Sequence, residues 1–113
     1  MHRIRKRYIL FDIHYLSKPI DSRKIFLKIC EMFKTIFGII VYSSADLKLI
    51  EYDQNLHVGI VRISHKHVEN LRVALALIKH VEDEEVLFHI HKVSGTLKSL
   101  RKDKSIRQDS SIS

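Results

Sequence analysis

Cations gathered at the two ends of the chain are its most legible chemistry. Arg3, Arg5, Lys6 and Arg7 place four positive charges in the first seven residues. Lys92, Lys98, Arg101, Lys102, Lys104 and Arg107, set against Asp103, add a net five near the other end. These clusters carry +9 in a chain whose formal net charge is +7, so the remainder sums to −2. Side chains of this type at this density suit phosphate backbones. Arg3, Arg5 and Arg7 alternate, and in an extended strand they point the same way and can track one phosphate strand. A fold that set the first strand beside the last would merge both clusters into a single surface.

A second candidate is Ser94-Gly95-Thr96, followed by Lys98, Arg101 and Lys102. Small residues at a helix start leave backbone N–H groups uncovered, and the helix dipole favours an anion there. The plainer reading of the same triplet is a helix cap. Eight histidines invite a metal reading. His65-x-His67 and His89-x-His91 each put two rings on one face of a strand. The two pairs are expected to lie apart, with no cysteine or carboxylate in ligand register. The expectation is therefore no metal site, with the histidines at the surface or against bases and phosphates. No Ser-His-Asp pattern, activated cysteine or phosphate-binding glycine loop is present, so the chain is expected to carry no catalytic residues.

The elements that must position these residues follow from apolar periodicity. A strand is expected over 7–15, where Ile9, Phe11 and Ile13 alternate with Tyr8, Leu10, Asp12 and His14. Ser17-Lys18-Pro19 ends it. A helix is expected from 21 or 22 to 37, with Ile25, Phe26, Ile29, Cys30, Phe33, Ile36 and Phe37 in one stripe. Asp21 or Ser22 would cap it, and Gly38 suits a left-handed residue past its end. Residues 39–44 are open between continuation, connector and short strand. Strands over 46–53 and 56–64 would join at Asp53-Gln54-Asn55, and Gly59 marks a bulge or a close backbone approach. A second helix is expected over 66–81, capped by Ser64, then an acidic loop over 82–85. A last strand starts at Val86, and Ser94 caps a short helix over 96–102.

That order, β-α-β-β-α-β plus a terminal helix, is the split-βαβ, ferredoxin-like plan: α+β, with an antiparallel sheet and helices on one face. In it the first and last strands are neighbours. With 113 residues, 45% of them hydrophobic, the chain is expected to form one domain over 1–103 with a disordered tail over 104–113. Its pI of about 9.7 favours polyanionic partners. One cysteine excludes an internal disulfide and fits a cytoplasmic location. No run of eighteen apolar residues offers a membrane span, and the basic start leads into too short an apolar run for a signal peptide. RNA-recognition domains of the same topology stack bases on paired aromatics of the two central strands. The third strand here, Val58-Gly59-Ile60-Val61-Arg62-Ile63, has none. RNA would thus be held by charge and shape, which leaves an apolar outer sheet face for a protein partner.

Three segments resemble the small archaeal and eukaryotic ribonuclease P protein subunit, archaeal component 2. Arg5-Lys6-Arg7-Tyr8-Ile9-Leu10-Phe11 is similar to its basic-aromatic first strand. Gly59-Ile60-Val61-Arg62 with Val68-Glu69-Asn70-Leu71-Arg72-Val73-Ala74-Leu75 resembles its middle. Val93-Ser94-Gly95-Thr96-Leu97-Lys98 with Arg101-Lys102 is the most specific match. Asp103 departs from the aromatic or apolar residue more usual there. The resemblance implies a subunit of the ribonucleoprotein endonuclease that removes 5′ leaders from precursor tRNA. It implies catalysis by RNA with magnesium, no cofactor on this chain, and pairing with a barrel-shaped component 3, which extends to a heterotetramer. It makes Arg5, Lys6, Arg7, Ser94, Gly95, Thr96, Lys98, Arg101 and Lys102 the RNA-contacting candidates, with precursor tRNA reached indirectly, and the cations Arg3 and Arg62 are counted with them. Two rival readings are a free-standing ligand-binding or dimerisation module and a small acid-anhydride hydrolase using Asn70 and Arg72.

Overall fold

The computed structural model describes residues 5–102. Arg3 and the tail expected over 104–113 lie outside them. Strand β1 (Lys6–His14) leads to helix α1 (Ser22–Ala45), then β2 (Lys48–Asp53) and β3 (Val58–Ser64). A 3₁₀ turn (His65–His67) enters α2 (Val68–Leu77), followed by short strands β4 (His80–Val81) and β5 (Glu84–Glu85). Strand β6 (Leu87–Ser94) and a short helix α3 at residues 97–102 complete the order.

The main sheet is antiparallel with strand order β2-β3-β1-β6, as the split-βαβ plan requires. On one face, Ile9, Phe11 and Ile13 of β1 pack with Ile25, Ile29 and Phe33 of α1 and Leu71 and Leu75 of α2. These side chains are fully or nearly fully buried, which makes this the main core. The opposite face is not open. Leu100 of α3 is fully buried against Leu10, Val58 and Ile60, with Tyr8, Ile50, Leu56 and Leu97 around them. The expected apolar docking face is thus covered by the chain's own last helix, because Leu97 and Leu100, at i and i+3, share its inward side.

Several boundaries differ from expectation for local reasons. The helix stripe continues past Gly38 to Ala45, and Gly38 (φ 89°, ψ 167°) interrupts it as a kink. The left-handed residue after the end is Asp46 (φ 50°). Asp21 supplies the N-cap, accepting the Arg23 N–H at 3.0 Å. Helix α2 stops at Leu77 because Ile78 is extended. Glu82 and Asp83, both at positive φ, then turn a two-stranded hairpin where a loop was expected. Ser64 makes no side-chain cap.

Gly59 resolves as a close approach. A Cβ there would lie 2.7 Å from the Phe11 ring and 2.8 Å from the Tyr52 ring. Phe11, Gly59 and Tyr52 are cross-strand partners in register, and the two rings stack over the glycine at 6.3 Å. The turn at Asp53 also holds: its Oδ1 accepts the N–H groups of Asn55 (2.9 Å) and Leu56 (3.2 Å). Among the described residues, no helix is long and apolar enough to cross a membrane.

Candidate nucleic-acid interface

Antiparallel pairing of β1 with β6 sets the start of the described chain beside its end. Tyr8 is opposite Ser94, and the Arg7 guanidinium lies 3.6 Å from where a Gly95 Cβ would be. The described members of the two basic clusters therefore come together toward one end of the sheet. Arg5, Lys6, Arg7, Lys48 and Arg62 come from the sheet side, and Lys98, Arg101 and Lys102 from α3.

The arrangement is a rim rather than one plane. Strand alternation gives Arg5 and Arg7 the parity of Ile9 and Phe11, and Lys6 that of Tyr8 and Leu10. Basic side chains thus leave this end of β1 in both directions. Arg7 is anchored, its Nη1 donating to the Lys6 carbonyl at 3.1 Å. Lys6 Nζ reaches Asp46 Oδ2 at 2.6 Å, and Arg62 Nη2 approaches the same oxygen at 3.8 Å. The hydrogen bond from Lys6, reinforced by the charges of Lys6, Lys48 and Arg62, holds the Asp46 carboxyl below its ordinary range. Arg101 Nε pairs with Glu51 Oε1 at 2.9 Å. Three of the expected contacts are thus partly neutralised by Asp46 and Glu51. Arg5, Lys98 and Lys102 are exposed and carry no carboxylate partner among the described residues.

Ser94-Gly95-Thr96 forms a turn closed on itself. The Thr96 N–H donates to Ser94 Oγ at 3.1 Å, so the amide expected to face a phosphate already has an acceptor. Gly95 has ordinary van der Waals room for a Cβ. The bond closes a turn just ahead of α3, so the triplet's part in the rim is to lead the chain into that helix.

The rival pair is engaged elsewhere. Arg72 Nε donates to Glu69 Oε1 at 3.2 Å, and Asn70 Nδ2 donates to His67 Nδ1 at 3.1 Å. His67 also meets Ser44 Oγ at 3.2 Å, tying the end of α1 to the start of α2. Cys30 is buried, and desolvation pushes its thiol upward, as for an inert core cysteine. The histidine pairs do lie apart, as expected. However, the expectation that no carboxylate accompanies them missed Asp12, which is the cross-strand partner of His89. Its i, i+2 spacing to His14 and the adjacency of first and last strands were both available signals.

Comparison with known proteins agrees with this architecture. Residues 7–104 match the model of the Rpp14/Pop5 family. The chain is 34% identical over 100 residues to ribonuclease P protein component 2 of Archaeoglobus fulgidus, covering 88% of each chain. It is 32% identical over 100 residues to the component 2 proteins of Thermococcus gammatolerans and Thermococcus kodakarensis, covering 88% of this chain and 82% of each relative. In three dimensions it is similar to a chain of the cryo-EM structure of yeast Ribonuclease MRP. That match has a TM-score of 0.68 at 11% identity and covers 100% of this chain and 99% of the other. With a family model spanning nearly all of the described residues and relatives above 30% identity over most of their length, the chain belongs to the Rpp14/Pop5 family.

Proposed function

We propose that this chain is a protein subunit of ribonuclease P, the ribonucleoprotein endonuclease that removes 5′ leaders from precursor tRNA. Its rim at the β1–β6 end of the sheet sits on phosphates of the catalytic RNA. The observation that carries the RNA-contact reading is the juxtaposition of Arg7 with the Ser94–Thr96 turn, which unites cations from both ends of the chain. Phosphates crowded around an RNA active site repel one another, and fixed cations at the periphery relieve that repulsion. The RNA then reaches its active fold with less magnesium, and the magnesium and the cleavage chemistry belong to the RNA. The protein partner is the barrel-shaped component 3, in pairs that assemble as a heterotetramer. Precursor tRNA is met through the assembled particle, in the cytoplasm.

Reconstitution with the cognate RNA and component 3 tests this reading. Adding the full chain is expected to lower the magnesium concentration needed for half-maximal leader removal. Equal cleavage at low magnesium with and without the chain overturns it.

A further inference from the structure

Away from the basic rim, near the other end of β1, three imidazoles surround one buried carboxylate. The Asp12 side chain is 1% exposed. It belongs to the alternation that faces away from α1 and α2, together with Leu10 and His14. His14 Nε2 lies 3.1 Å from Asp12 Oδ2, and His89 Nδ1, across the strand pair, lies 3.1 Å from Oδ1. The register of β6 on β1 slips by one residue at His91, a β-bulge. The bulge leaves His91 Nε2 4.0 Å from Asp12 Oδ2. The His89 and His91 rings meet edge to face at 5.1 Å, and those of His14 and His89 at 5.7 Å.

We propose that Asp12, His14 and His89, with His91 as the adjoining fourth donor, form a binding site for a divalent transition-metal ion, of which zinc is the best fit. The ligand atoms of Asp12, His14 and His89 all lie within 4.8 Å of one another. Tetrahedral zinc with bonds of about 2.0–2.1 Å sets its ligand atoms about 3.3–3.4 Å apart. The two 3.1 Å contacts reach different oxygens of Asp12, so the carboxylate can present either oxygen or both to an ion, and the exposed rings must rotate to bring their nitrogens to the ligand edge. Imidazole with carboxylate suits zinc, cobalt and nickel, whereas magnesium prefers oxygen donors and keeps its waters. The donors stand on two hydrogen-bonded strands, which fixes their spacing in advance. Without metal, the ring N–H groups of His14 and His89 can donate to Asp12. On binding, the same nitrogens offer lone pairs to the ion, and each proton moves to the ring's other nitrogen. The ion bridges β1 and β6, and it turns a locally negative spot on the outer sheet face positive.

The test uses the full chain without RNA, so it stands apart from the ribonuclease P reading. Zinc is titrated by calorimetry, and cobalt(II) by its visible d–d absorption. One ion per chain is expected, with a tetrahedral cobalt spectrum and no matching response to magnesium. His14→Gln and His89→Gln, each checked for native circular dichroism, should weaken binding by more than about a hundredfold, beyond the cost of disturbing an outer-shell partner. His65→Gln, in the other histidine pair, should leave it unchanged. Absence of one-to-one binding, equal competition by magnesium, or unchanged affinity in His14→Gln and His89→Gln overturns the proposal.

Discussion

Gly59 is a position that leaves no room for one added methyl group. The space a Cβ would need is filled by the rings of Phe11 and Tyr52, which would stand 2.7 and 2.8 Å from it, and both rings belong to the main core. Gly59→Ala is expected to cost about 1–3 kcal/mol by overpacking, read as a lower denaturant midpoint at unchanged slope. Asp46 carries a different signal. Its carboxyl is held below the ordinary value of 3.8, first by the Lys6 hydrogen bond. A group depressed in the folded state adds stability above its unfolded value and loses it as pH falls through the folded one. Stability from this pair is therefore present at neutrality and fades below about pH 4. Asp46→Asn should lose under about 1 kcal/mol at pH 7, as for an exposed pair, and less at pH 2. Chemical denaturation at the two pH values checks this. At this scale the chain was half legible: Gly59 announced a special backbone position, but its two ring partners lie on neighbouring strands. Asp46 gave no sign, because its partner Lys6 is distant in sequence and adjacent only through the sheet.

Helices α1 and α3 show where periodicity carries information and where it stops. The stripe from Ile25 to Phe37 was readable because burial on one face of a helix has a fixed period. Gly38 was readable as left-handed, but not as a kink, since the residues after it resume helical geometry. The β4–β5 hairpin was missed because Glu82-Asp83 is not a usual pair for a turn with two positive φ values. Helix α3 was expected, but its docking side was not. A helix of six described residues has no stability of its own, so Leu97 and Leu100 must anchor it. Leu100→Ala should cost about 2–5 kcal/mol and loosen α3. Amide hydrogen exchange would register this as lost protection at residues 97–102, with α1 little changed. Retained protection there would show that α3 is held by something other than this contact.

At the scale of the molecule, the candidate interface was legible in outline because a known topology converts distance in sequence into adjacency in space. Its fine structure was not, since the pairing of Lys6, Arg62 and Arg101 with Asp46 and Glu51 depends on the turn after α1 and on the placing of α3. That division makes a graded prediction. Arg5, Lys98 and Lys102, exposed and without carboxylate partners among the described residues, should dominate the salt dependence of RNA binding. Replacing all three with alanine should reduce the logarithmic salt slope by about 2–3, whereas Arg62→Ala should reduce it by less than one contact's share. Filter binding across a salt series measures both.

Strand β1 has β3 on one side and β6 on the other, so its second edge stays unpaired until the ribosome has delivered the chain through Ser94. A nascent chain arrested before β6 presents a bare apolar strand edge and lacks six of its 20 lysines and arginines, those of α3 among them. On the proposed function, RNA affinity is then expected only of the finished fold, while the bare strand edge of an incomplete product is an aggregation hazard of the kind chaperones handle.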